Sequence, residues 1–167
     1  MNEKYPIQGG RTPFEDIYDR FFGKITDDMY MEWTEEDTKK DLKNILIDAI
    51  PGFEFPRFPL YDFDIDAETF NCHLTSEEIN IFALLMYNTW LQRQVASVEQ
   101  TRMKYSGSDF KMTSQANHLA KLMELKKEAE RQSHHMQRLY KRRKIIDKDG
   151  SIKSNWSTLR ETSTFDG

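Results

Sequence analysis

From Leu74 to Tyr105 the chain runs without a proline or a glycine, and no other stretch limits its fold as much. It opens Leu74-Thr75-Ser76-Glu77-Glu78-Ile79. Thr75 has the hydroxyl that an N-cap needs to accept an orphan first-turn N–H. Glu78, three residues on, can reach back to the Thr75 amide and complete a capping box. Leu74 and Ile79 hold the two positions of a hydrophobic staple. Ile81, Phe82, Leu84, Leu85, Met86, Tyr87, Trp90, Leu91, Val95 and Val98 follow. The first half is apolar nearly all round, which predicts neighbours covering it on several sides. Such a helix spans roughly 45 Å at 1.5 Å per residue. Its far end, Gln92 to Lys104, is more polar and is expected to project from the core.

Shorter elements are expected before it. Thr12-Pro13-Phe14-Glu15 predicts a helix start with a Thr cap, proline at the first helical position and glutamate three after the cap. Phe14, Ile17, Tyr18, Phe21, Phe22 and Ile25 fall on one face, which suits a core or a subunit contact. Gly23 weakens or ends that helix. Thr34-Glu35-Glu36-Asp37 predicts a second cap, with acids where the helix dipole favours them. Leu42, Ile45, Leu46, Ala49 and Ile50 give the second helix one apolar face, and Pro51-Gly52 stops it. Phe53 to Leu60 mixes aromatic residues with prolines that suit neither helix nor central strand. Tyr61-Asp62-Phe63-Asp64-Ile65-Asp66 alternates strictly, which is strand periodicity. A lone strand is not stable, so this segment is expected to lie on the helices as a loop or short hairpin, or to pair with another subunit.

After a turn at Tyr105-Ser106-Gly107-Ser108-Asp109, a last helix is expected to begin between Asp109 and Ser114 and run to about Ile146. Two long helices joined by a short turn make an antiparallel hairpin. The fold expected is mainly α: an antiparallel helical bundle over residues 12–146 with two long C-terminal helices. An extended aromatic and proline-rich insertion at 53–73 carries at most a short strand or hairpin. An N-terminal arm (1–11) and a C-terminal tail (147–167), with Trp156 as its main anchor, complete the chain.

Charge is unevenly placed. Residues 1–78 hold eight Lys/Arg and nineteen Asp/Glu, a net of −11, and residues 79–167 hold sixteen and nine, a net of +7. Such a split suits oppositely charged surfaces on neighbouring subunits, although surface charge also fluctuates along any chain. One cysteine, Cys72, leaves no disulfide framework within the chain. No apolar run approaches the ~18 residues of a membrane span, and the N-terminus lacks a signal pattern, so a soluble, unsecreted protein without membrane contact is expected.

Catalytic and metal patterns are weak. Asp62, Asp64 and Asp66 resemble the start of a calcium loop, but Ala67 stands where the turn needs glycine and His73 where the bidentate glutamate belongs. Cys72-His73 has no second cysteine, and His134-His135 cannot share one helix face. Gly9-Gly10 is not followed by a phosphate-loop Lys-Ser/Thr. No catalytic residue, metal ligand or cofactor is therefore expected. The strongest functional candidate is Arg138, Lys141, Arg142, Arg143 and Lys144, five cations in seven residues at a helix C-terminus. Cations suit the negative end of the dipole. The same run could touch DNA phosphates non-specifically or meet an acidic protein ring. Phe53, Phe55, Phe58, Leu60 and Phe63 form a candidate inter-subunit segment.

The order of elements resembles a known family. An acid-capped helix ends Ile47-Asp48-Ala49-Ile50-Pro51, and an aromatic segment Phe53-Glu54-Phe55-Pro56-Arg57 follows. Then comes the apolar helix from Leu74-Thr75-Ser76-Glu77-Glu78-Ile79 through Leu84-Leu85-Met86-Tyr87-Asn88-Thr89-Trp90-Leu91, a long polar helix and a loose tail. This resembles the head–tail connector (adaptor or neck) proteins of tailed bacteriophages, over roughly residues 30–145. The resemblance implies a non-enzymatic virion subunit, made in the host cytoplasm, that forms a homo-oligomeric ring, commonly a dodecamer, around the DNA passage. Its implied partners are copies of itself, the portal protein, a tail or second neck protein, and packaged DNA. A DNA-associated protein acting through residues 138–144, or a small phage-encoded regulator binding one host protein, are the alternatives.

Overall fold

The helix anticipated after Leu74 is the element on which the others pack. In a computed structural model that describes residues 10–25, 30, 32–57, 59–104, 112–142, 144–146 and 152–154, it is α3 (Ser76–Lys104). The capping box closes as its chemistry requires. The Glu78 amide donates to Thr75 Oγ1 at 3.3 Å, and the Thr75 amide donates to Glu78 Oε2 at 2.7 Å. Residues 81–86 are buried without interruption. A helix buried on every side needs cover on every side, and α1 (Phe14–Phe22), α2 (Glu35–Ala49) and α4 (Met112–Arg142) supply it. None of residues 92–101 is fully buried, but Val95 and Val98 still pack against the core, so the polar half of α3 lies at its edge rather than projecting free of it.

The long helix α4 lies along α3. Asn88 donates to Ser133 Oγ at 3.1 Å, and the Tyr140 hydroxyl donates to Glu78 at 2.6 Å. Later residues of α4 meet earlier residues of α3, so the two run in opposite directions. α2 begins at its Thr34 cap, whose hydroxyl accepts the Asp37 amide at 3.1 Å. Leu42, Ile45, Leu46 and Ala49 are buried, and the helix tightens into a 3-10 turn at Ile50–Gly52. Arg93 of α3 clamps α2 from outside, reaching Asp41 at 3.1 Å and Asp48 at 2.7 Å.

The start of α1 departs from the sequence expectation. Thr12 does not cap the helix, and Pro13 is the N-cap rather than the first helical residue, with no side-chain cap. The Thr12 hydroxyl is used elsewhere: it donates to the Cys72 carbonyl at 2.9 Å and accepts the Leu74 amide at 2.8 Å. That bridge ties β1 (Thr12–Pro13) to the entry of α3. The orphan amide of Phe14 donates instead to the Glu68 carbonyl at 2.8 Å. Glu68 has φ 51°, a left-handed turn conformation uncommon for a residue with a Cβ.

The alternating segment is also shorter than its pattern. Only β2 (Phe63–Asp64) is strand, paired antiparallel with β3 (Thr69–Phe70), which pairs on its other side with β1. Asp64 cuts the strand short, because its Oδ1 accepts the amides of Asp66 at 3.1 Å and Ala67 at 3.0 Å and turns the chain. The sheet order β1-β3-β2 lies within this one chain.

The aromatic segment closes onto the same core. Phe53 and Leu60 are buried, so these two do not wait for a neighbouring subunit as the sequence reading allowed. Phe63 is partly buried, 6.1 Å from the rings of Phe14 and Phe70. A continuous ring ladder crosses the molecule: Phe14 to Phe70 (5.0 Å), Phe70 to Phe82 (5.3 Å), Phe82 to Phe53 (5.1 Å) and Phe53 to Tyr140 (5.5 Å). Each aromatic pair adds about 0.5–1.5 kcal/mol beyond the area it buries. Five elements are thus tied through one row of rings.

The C-terminal helix ends earlier than expected. It stops at Arg142, and β4 (Lys144–Ile146) pairs antiparallel with β5 (Ile152–Ser154). Crowded cations followed by β-branched Ile145 and Ile146 favour strand over another helical turn. Part of the segment assigned to a loose tail therefore pairs with its own chain.

Candidate functional site

The described side chains of the basic run at the end of α4 do not all share one surface. Lys141 turns inward, with its ammonium 3.9 Å from the centroid of the Phe55 ring, a cation–π contact that holds the aromatic segment. Arg138 and Arg142 are exposed. Lys144 begins β4, and Arg143, Phe58 and Trp156 lie outside the described residues. Helical spacing selects a different set. Arg131, His135, Arg138 and Arg142 are separated by four, three and four residues, so they share one face.

That face forms one wall of a cleft of about 470 Å³ between α1, α3 and α4. Lys24, just after α1, and Asn80 of α3 form the other wall, and Arg131, Gln132, His135 and Arg138 complete the polar lining. Lys24 Nζ donates to Asn80 Oδ1 at 3.2 Å. Burial first, and then the charge of Arg20, hold the Lys24 ammonium below its usual pKa. Arg131 is paired with Glu128 through two bonds, at 2.9 and 2.7 Å. Those bonds and one from Gln132 pull the Glu128 carboxyl down to about 2.

Sequence reasoning missed Lys24, Arg131 and His135. The i, i+4, i+7 spacing could have found the two on α4. Lys24 is brought in only by the packing of α1 on α3.

Below the cleft a buried acid anchors the end of α4. Glu78 is 2% exposed. Its Oε1 accepts the Tyr140 hydroxyl and lies 3.8 Å from Arg57 Nε, and its Oε2 accepts the Thr75 amide and, at 2.9 Å, the Thr75 hydroxyl. The Arg57 guanidinium also sits 4.6 Å over the Tyr140 ring. Burial first, then the Glu78 charge, push the Tyr140 phenol far above its usual range. A buried carboxylate is tolerated only when paired and hydrogen-bonded. This cluster joins the capping box, the aromatic segment and the last turns of α4.

The opposite charge gathers around the start of α2. Glu32, Asp37 and Asp41 line a groove of about 480 Å³ beside Trp33. Trp33 is 42% exposed and meets the Tyr30 ring edge-on at 5.6 Å. Asp41 is already engaged by the Tyr30 hydroxyl at 2.7 Å and by Arg93. Glu35 and Glu36 extend the acids into the first turn of α2, although Glu35 is paired with Lys39 at 2.8 Å and Lys40 lines the same groove.

Asp62 and Asp64 are occupied by local structure rather than held free. Asp62 Oδ1 accepts from Asn71 Nδ2 at 2.7 Å, and Asp64 closes the hairpin. Burial first, with Glu78 and Asp62 adding, pushes the Cys72 thiol up to about 11. That makes it a poor nucleophile near neutral pH. Among the described residues no helix is long and apolar enough to cross a membrane. No protein-family model, no curated protein and no solved structure matches this chain.

Proposed function

We propose that this chain is a non-enzymatic structural subunit of a tailed-bacteriophage virion, forming the head–tail connector ring between portal and tail. The observation that carries the reading is the separation of charge on one helical scaffold. The acidic surface gathers Glu32, Glu36 and Asp37 at the start of α2, and the basic face lies on α4 at Arg138 and Arg142, with Arg131 beside them paired to Glu128. Arg93 meets α2, and Asn80 lines the basic cleft, so the two surfaces are roughly 20 Å apart along α3. Two different surfaces of opposite sign favour head-to-tail contact between copies, and such contact closes a ring when the rotation allows it. Exposed apolar groups at Tyr61 and Met103 offer further contact area beyond the closed core.

In this reading the helices form an antiparallel bundle, copies of the chain make a dodecameric ring, and the portal and a tail or second neck protein lie on either side. Electron microscopy of the full chain, alone and with its portal protein, tests the proposal. Closed rings are the expected result. A strictly monomeric particle with the portal present would refute it.

A further inference from the structure

The cleft between α1, α3 and α4 is chemically unbalanced. Lys24 is half-buried, its hydrogen-bond partner Asn80 is neutral, and the charge of Arg20, another cation, acts against its protonation. Arg138 and His135 line the same space, and no carboxylate is among the described residues of its lining. Glu128 compensates Arg131 alone. Placing cations together in a partly desolvated cleft is unfavourable unless an anion neutralises them. The donor set has a definite shape. A guanidinium fork from Arg138, an ammonium from Lys24 and a side-chain amide from Asn80 line it from α4, the turn after α1 and α3, while the Gln132 amide also donates to Glu128 at 3.1 Å. Forked and point donors together match the several oxygens of a phosphate group better than a single carboxylate.

We propose that this cleft is a binding site for a phosphate group, with Lys24 and Arg138 as its principal ligands. The inference goes beyond the ring reading but shares Arg131 and Arg138 with its basic face, so the cleft binds phosphate where no neighbouring copy covers it. The phosphate could belong to a nucleic-acid backbone or be free in solution, and the two sources are separable by experiment.

The full-length chain is titrated at low ionic strength with inorganic phosphate, by calorimetry and thermal melting, and with a fluorescent DNA duplex, by anisotropy. Lys24→Met and Arg138→Gln are each expected to weaken binding roughly tenfold, the scale of one lost charge-assisted contact. Lys121→Gln removes the same charge from an exposed position roughly 25 Å along α4 from Arg138 and should change little. Phosphate should raise the melting temperature of the unaltered chain and not that of Lys24→Met. Without anion, Lys24→Met should melt at or above the unaltered chain, since it removes an uncompensated cation. Arg138 is exposed, so its variant keeps the test valid if Lys24→Met folds poorly.

Binding of both probes, with losses confined to the cleft variants, assigns a phosphodiester source. Binding of inorganic phosphate alone assigns a free source. Three results overturn the proposal: no binding of either probe, equal losses in the Lys121 and cleft variants, or acetate competing as well as phosphate. The last would mark a carboxylate site, as a contact with an acidic protein requires.

Discussion

Replacing Tyr140 with phenylalanine isolates the most consequential polar contact in the molecule. The ring would keep its place against Phe53 at 5.5 Å and beneath Arg57 at 4.6 Å. Only the hydroxyl is lost. That hydroxyl donates at 2.6 Å to a carboxylate that is 2% exposed. Without it, Glu78 Oε1 retains only Arg57 at 3.8 Å, which is too long for a hydrogen bond. A hydrogen bond to a charged group contributes about 1.5–3 kcal/mol, and an unsatisfied buried partner costs on the same scale. The expected loss is about 2 kcal/mol, or ~4–8 °C in melting temperature for a chain of this length. Urea unfolding at pH 7 measures it. The denaturant midpoint should fall with an unchanged slope, because the surface exposed on unfolding is unaltered. A double-mutant cycle with Glu78→Gln should return a coupling of about 1 kcal/mol or more. A loss under ~0.5 kcal/mol would refute the assignment of Glu78 as the anchor of α4, since exposed substitutions alone reach that size.

Thr12→Val should cost about 1–3 kcal/mol, because the buried Leu74 amide loses its acceptor; urea unfolding of a variant with unaltered stability would contradict the bridge. Phe82→Ala should cost about 3–5 kcal/mol by breaking the ring ladder at its centre, read as a lower melting temperature. Cys72 should react with iodoacetamide at pH 8 roughly a hundredfold more slowly than an ordinary thiol, since its pKa is raised from 9.0 to about 11; a mass-spectrometric time course at the free-thiol rate would exclude that environment. The same shift sets a sign for stability: the folded state keeps the proton that the unfolded chain releases, so the Cys72 contribution is intact below pH 9 and lost towards pH 11. Urea midpoints measured from pH 8 to 11 should fall less steeply in Cys72→Ala.

Local chemistry made much of this legible. The capping box at Thr75 and Glu78, the Thr34 cap and the Pro51-Gly52 stop all follow from groups within a few residues of each other, and all three form as anticipated. The misreadings share one cause, which is competition from distant residues. Thr12 has the right chemistry for a cap, but its hydroxyl is taken by Cys72 and Leu74, some sixty positions away. Phe53 and Leu60 suit a core or an inter-subunit contact equally on sequence, and the rings of Phe82 and Tyr140 decide Phe53 for the core. Asp64 alternates like a strand residue but hydrogen-bonds its own backbone more readily than it continues a ladder. The site was legible only in part. Counting charges along the chain found Arg138 and Arg142, but contiguity is the wrong geometry on a helix. Lys141 belongs to Phe55, while Arg131 and His135, farther off in sequence, share the face with Arg138. Lys24 had no signal in its own neighbourhood.

In the proposed ring, opposed charged surfaces on one helical scaffold hold neighbouring copies of this chain together. Sedimentation mass of the full chain, measured as salt is raised and with and without the portal protein that the proposal pairs it with, is the decisive measurement. The predicted result is one species of dodecameric mass at low salt, dissociating as salt screens the opposed surfaces. A single-chain mass at every salt concentration, with the portal present, would contradict it.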